Sequence, residues 1–175
     1  VRINGNTVSA ARWVVSSGSR AAIPNLPGLA ESSYITNREI FSLPELPKSM
    51  AILGAGPIAI EMAQSFARFG TRVTVIQRSG QILSKEDQDM AAGVRAARAS
   101  EGVAVRLNAE VHNIKNSGSV KEITIRSGDS TEEIKTEQLL VALGRTPNID
   151  TLNLANAGVE FGPNGIAVDD RMRTS

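Results

Sequence analysis

Gly54, Gly56 and Ala59 stand at the spacing Gly-x-Gly-x-x-Ala, directly after the apolar run Met50-Ala51-Ile52-Leu53 and directly before a helical pattern. Residues of these types at this spacing suit one piece of chemistry, the holding of a pyrophosphate by main-chain groups. Gly54 permits a tight strand-to-helix turn, Gly56 lets the backbone come close to a phosphate, and Ala59 lets the helix lie close to a sheet. The anion then rests on the helix N-terminus, with Ala55, Pro57 and Ile58 completing the turn around it. Any glycine turn that enters a helix satisfies the bare spacing, so the reading depends on the flanking elements.

Those elements agree with it. Leu46-Pro47-Lys48 reads as a linker that launches a buried strand over Met50 to Leu53. Pro57 suits a first helical turn, and Ile58, Met62, Ala63, Phe66 and Phe69 recur at helical spacing until Gly70 closes the helix. Arg72-Val73-Thr74-Val75-Ile76 is a second β-rich run, which completes a βαβ unit of about thirty residues.

At the end of that second strand a dinucleotide site distinguishes its cofactors. An acidic residue roughly twenty positions past the glycines would bind a ribose 2′-hydroxyl and repel a 2′-phosphate. Gln77-Arg78-Ser79 stands there instead. The carboxylate is missing and a guanidinium is near, which favours NADP over NAD, although Arg78 alone also reads as a solvated residue at a strand end.

The rest of the composition narrows the class. Nineteen basic and eighteen acidic residues nearly cancel, and aromatic residues make up only 3% of the chain, so neither a basic stripe nor a stacking ladder points to nucleic acid. No apolar stretch is long enough to cross a membrane and no signal peptide is recognisable, so a cytoplasmic location is expected. With no cysteine, disulfides, thiolate metal sites and a thiol nucleophile are excluded within these residues, and no metal ligand set is expected. The single histidine, His112, lies in Val111-His112-Asn113-Ile114, where alternation turns it away from the apolar face.

Further along, Asp87 to Glu101 reads as a helix with Ser84 or Asp87 as its cap, and Val103-Ala104-Val105-Arg106 as the next strand. Short alternating runs at Glu110–Lys115, Val120–Arg126 and Glu132–Lys135, separated by polar turns, predict an antiparallel meander. Gln138 to Ala142 then returns as an apolar strand that would rejoin the parallel sheet. The expected class is therefore α/β, a Rossmann-like dinucleotide-binding domain with a parallel sheet plus an antiparallel β-meander. Trp13-Val14-Val15 before Gly18 and Arg20 echoes Leu140-Val141-Ala142 before Gly144 and Arg145, and both read as buried strands.

In this order the features resemble the central nicotinamide-binding region of the flavin-dependent pyridine nucleotide-disulfide oxidoreductases. The segment Ser16-Ser17-Gly18-Ser19-Arg20-Ala21 resembles the family's exit from its flavin domain, and Gly54 to Ala63 its pyrophosphate motif. Leu139 to Asn148 resembles its return segment, and Gly165 to Ser175 the run toward its second flavin-contacting motif. Gln64 to Gly70 and Met172-Arg173-Thr174-Ser175 look most like mercuric reductase-like members.

The resemblance implies the following. Residues 1–37 and 145–175 would be pieces of a flavin-binding domain around a nicotinamide domain at 38–144. The cofactor would meet Gly54, Ala55, Gly56, Pro57, Ile58, Gln77, Arg78, Ser79, Val111, Ala142, Leu143, Gly144 and Arg145, and Glu61 would be an active-site group near nicotinamide and flavin. The parent would be a homodimer that passes hydride from NADPH to FAD and on to a redox disulfide. Its cysteine pair and dimerisation domain would lie outside these residues, so this piece alone is expected to be inactive. A dihydrolipoamide dehydrogenase, a glutathione reductase, an NADH oxidase-like flavoprotein and a non-catalytic nucleotide-binding module remain the alternatives.

Overall fold

The computed structural model describes residues 1–175, which divide into two compact units, Ala21–Arg145 and Val1–Arg20 with Thr146–Ser175. The larger unit starts at Ala21, upstream of Arg38. The reason is packing: Leu29, Ile35 and Ile40 are buried, and Ile35 forms a parallel bridge to Leu140. Residues 21–37 are thus part of the unit's wall.

In chain order the first strands are β1 (Arg2–Ile3), β2 (Asn6–Thr7) and β3 (Ser19–Ala21). The large unit then builds β4 (Ser49–Leu53), α1 (Pro57–Arg68), β5 (Arg72–Ile76), α2 (Gln88–Ser100) and β6 (Ala104–Arg106). A meander of β7 (Glu110–Ser117), β8 (Val120–Ser127) and β9 (Ser130–Thr136) follows, and β10 (Gln138–Val141) returns beside β4. The parallel sheet has the order β10-β4-β5-β6, with Leu53 level with Ile76 on one side and Val141 on the other.

Alternation along these strands explains the three layers. Met50, Ile52, Val73, Val75 and Leu140 point into a cluster with Ala59, Ala63 and Phe66 of α1. Ala51, Leu53, Ile76, Leu139 and Val141 point the other way, against Ile114, Ile123, Ile125 and Ile134 of the meander. A parallel sheet must be covered on both faces, and here helices cover one and an antiparallel sheet the other. The buried stripe of α1 is Ala59, Ile60, Ala63 and Phe66, so Ala63 and Phe66 fall on the expected face while Ile58 and Met62 are only partly buried. Phe69 caps the helix C-terminus and stays exposed, touching Phe66 edge-on. No helix is long and apolar enough to cross a membrane.

The smaller unit is tied mainly by polar contacts. Arg20 donates to the carbonyl of Pro147 and to Asn148 Oδ1 at 3.3 and 3.2 Å, and pairs with Asp150 at 2.7 Å. Asn148 in turn donates its main-chain N–H to Gly18 O at 3.0 Å. β11 (Arg145–Pro147) leads to the hairpin of β12 (Phe161–Gly162) and β13 (Gly165–Ile166). Trp13-Val14-Val15, expected as a buried strand, is neither: the three residues form no strand and Val14 is 89% exposed. A strand needs a paired neighbour and a packed face, and this segment finds neither among residues 1–175.

Candidate functional site

The two glycines of the turn are required for different reasons. Gly54 has φ +100°, and its N–H donates to Ile76 O at 2.9 Å, which locks the exit of β4 to that of β5. A Cβ on Gly54 would stand 2.5 Å from Ala142 O, so the carbonyl leaving β10 occupies the place of a side chain. Gly56 has an ordinary conformation, φ −74° and ψ −179°, and a Cβ there would meet nothing within 4 Å. Nothing in the protein needs Gly56 to be glycine; what its bare Cα leaves is free space in front of α1.

That space opens into a cavity of about 620 Å³ at the carboxyl ends of β4 and β10. The helix that faces it starts at Pro57 with no side-chain cap. Its first intrahelical bond runs from Ile60 N to Gly56 O, so the amides of Ile58 and Ala59 have no acceptor in the helix and suit an anion. Ala59 is fully buried, which brings α1 down onto the sheet.

The wall toward β5 is made by Gln77. Its main chain is fixed on both sides, N–H to Arg106 O at 2.8 Å and C=O from Ala109 N at 3.0 Å. Its side-chain Nε2 donates to Ser79 Oγ at 2.6 Å, and Ser79 Oγ donates to Gln81 O at 3.0 Å. Arg78 lies on this braced loop, exposed, with no hydrogen bond or ion pair to the protein.

A rim absent from the sequence reading comes from Leu83 to Glu86. Leu83 takes φ +47°, unusual for a bulky residue, and its N–H donates to Ala55 O at 2.8 Å. Gln81 Nε2 holds Glu86 O at 2.9 Å, so Ser84, Lys85 and Glu86 are set along the cavity edge. No composition signal marks this rim, because it depends on one left-handed residue.

The opposite wall belongs to β10 and its neighbours. Ala142 N donates to Leu53 O at 2.9 Å, and Gly144, with φ +122°, accepts from Ala22 N at 3.0 Å. Beyond β10 the segment through Ile35 adds a short parallel rung, Val141 N to Ile35 O and Ile35 N to Leu139 O, both 2.8 Å. This rung delivers Asn37 to the cavity wall. The residues around Asn37 are clamped. Glu39 Oε2 accepts from Thr36 N at 2.9 Å and from Thr36 Oγ1 at 2.6 Å, and Thr36 Oγ1 accepts from Arg38 N at 3.3 Å. The bonds from Thr36 hold the Glu39 carboxyl below the usual carboxylate range.

The cavity thus gathers Gly54, Ala55, Gly56, Pro57, Ile58, Gln77, Ala142, Leu143, Gly144 and Arg145 of the expected set. Arg78 and Ser79 stand beside it on the Gln77 loop, outside its wall. Val111 is not brought in: it packs against the core under the meander, because the irregularity between Val111 and Asn113 turns it to the same face of β7 as Ile114. Glu61 lies one turn along α1 from Pro57, exposed, and also outside the wall. His112 is exposed, beside an irregularity in the pairing of β7 with β8.

Comparison with known proteins adds the family. The sequence profile described as pyridine nucleotide-disulphide oxidoreductase matches residues 1–175. A mercuric reductase of Lysinibacillus sphaericus is 35% identical over 176 residues, covering 100% of this chain and 32% of that protein. A dihydrolipoyl dehydrogenase of Bacillus subtilis is 34% identical, covering 81% of this chain and 30% of that one. Among solved structures, the HOCl-induced flavoprotein disulfide reductase RclA from Escherichia coli superposes with a TM-score of 0.82 at 30% identity in its Cu(II) complex, over 90% of this chain and 36% of that chain. An engineered water-forming NADPH oxidase bound to NADPH superposes with a TM-score of 0.76 at 27% identity, over 91% of this chain and 36% of the other. The chain spans about a third of the length of these relatives.

Proposed function

Because the chain belongs to the pyridine nucleotide-disulphide oxidoreductase family, we propose that residues 21–145 are the NADPH-binding part of a mercuric reductase-like flavoprotein that carries FAD. The observation that carries the reading is Gly56, whose missing side chain leaves room for a ligand and serves no need of the fold. A pyrophosphate fits in front of it, on the amides of Ile58 and Ala59 and against the backbone of Gly54 and Ala55.

From there the dinucleotide runs both ways across the strand ends. The adenosine ribose lies toward Gln77, where Arg78 and Ser79 receive a 2′-phosphate. Arg78 is free to do so, since no protein carboxylate holds it. The engineered NADPH oxidase supports this, for its named substitutions replace an aspartate by alanine and the next two residues by arginine and serine. The nicotinamide lies toward Ala142, Leu143, Gly144 and Arg145.

Bound there, NADPH would supply the hydride that FAD accepts and passes on, as two electrons, to a disulfide. This chain's residues position and shield that donor. Glu61, an unpaired carboxylate on the exposed side of α1, faces the redox centre in this reading. Val1–Arg20 and Thr146–Ser175 belong to the flavin-binding domain, and the parent is a cytoplasmic homodimer.

Calorimetric titration with NADPH and NADH tests the assignment. NADPH should bind more tightly, and Arg78→Ala should cost about 10- to 100-fold in NADPH affinity while leaving NADH nearly unchanged. A preference for NADH would overturn the role of Arg78, and binding of neither nucleotide would overturn the site.

A further inference from the structure

We infer that Asn37 recognises the nicotinamide half of the bound dinucleotide, an inference that rests on the reading of the cavity given above. Asn37 is half-buried in the cavity wall, and its carboxamide makes no hydrogen bond to the protein. The backbone around it is fixed: Glu39 clamps Thr36, Thr36 clamps the N–H of Arg38, and Ile35 is bonded on both sides into β10. A polar side chain held on so rigid a base and left without a partner is placed for a ligand.

Position decides which part of the ligand it meets. The segment that carries Asn37 lies outside β10, and the strand order β10-β4-β5 then puts Gln77 three strand spacings away, about 14 Å. With the pyrophosphate at Gly56, beside β4, and the adenosine ribose at Gln77, beside β5, the far end beyond β10 falls to the nicotinamide. Its carboxamide offers one acceptor and a pair of donors, the complement of what an asparagine offers. Two amides can therefore pair reciprocally, which holds the carboxamide and so positions the ring. Asn37 is a positioning residue in this scheme, since it orients the ring that carries the hydride.

The test uses the 175-residue chain, its preferred reduced dinucleotide, and the adenosine half of that ligand alone, 2′,5′-ADP for NADPH or ADP for NADH. Asn37→Leu keeps the branched outline and deletes both polar functions, and Asn37→Ser is smaller and keeps a hydroxyl. Affinity for the dinucleotide should fall about tenfold in the leucine variant and less in the serine variant, with affinity for the adenosine half unchanged in both. Equal loss for both ligands, or no loss for the dinucleotide, would overturn the role of Asn37 and leave the cavity reading standing. Failure of the unaltered chain to bind either ligand overturns the cavity reading and this inference with it. Unchanged circular dichroism melts separate a lost contact from a lost fold.

Discussion

The unit at Ala21–Arg145 and the unit formed by Val1–Arg20 and Thr146–Ser175 both carry many apolar residues, yet they use them differently. In the larger unit the strands bury side chains on both faces, and Ile52, Val75, Ile123, Leu139 and Leu140 are fully enclosed. In the smaller one Leu154 is the one buried apolar residue, while Trp13, Val14, Val15, Phe161, Val168 and Met172 are exposed. Apolar content alone therefore does not make a core. It becomes one when successive strands pair and both faces of their sheet are covered, which multiplies the partners of each side chain.

The sharpest test of that contrast is deletion of side chain in each unit. Leu140→Ala should destabilise the chain by about 3–5 kcal/mol in urea unfolding, because a parallel sheet packed from both sides cannot collapse onto the gap. A loss under about 1 kcal/mol would mean that the larger unit is less densely built than its burial implies. Within that unit the same logic separates the two glycines. Gly54→Ala should cost about 2–3 kcal/mol, since it combines a left-handed backbone with a collision at Ala142 O. Gly56→Ala should leave stability within about 1 kcal/mol and instead weaken nucleotide binding, measured by titration against the unaltered chain. Smallest of all, Trp13→Ala should change the unfolding midpoint by no more than about 0.5 kcal/mol equivalent, and a larger loss would reveal packing in the smaller unit beyond its polar ties.

Where local pattern and tertiary setting agree, the sequence is legible. The βαβ unit and the glycine turn follow from Met50–Leu53, Pro57 and Arg72–Ile76, and the meander follows from three alternating runs between polar turns. Trp13-Val14-Val15 fails for the opposite reason: its composition is that of a strand, but pairing is a tertiary fact. Val111 lies outside the cavity wall because a bulge in β7 turns it toward the meander core, and no local pattern announces that bulge. Asn37 and the Leu83–Glu86 rim were invisible because each is placed by contacts distant in sequence or by one left-handed residue. What a sequence shows of a site is the part built on consecutive residues.

The rung between Ile35 and Leu140 also bears on the order of assembly. β4, α1 and β5 are neighbours in sequence and can associate as soon as they are made, whereas Ile35 has no partner until Leu140 leaves the ribosome, more than half the chain later. Until then the edge of β4 that will receive β10 stays open. The last strand to arrive closes the sheet, seats the segment that carries Asn37, and brings Ala142 against Gly54 in one event. The cavity is thus finished by the same step that completes the parallel sheet, and a chain stalled before β10 would have its glycine turn but no pocket.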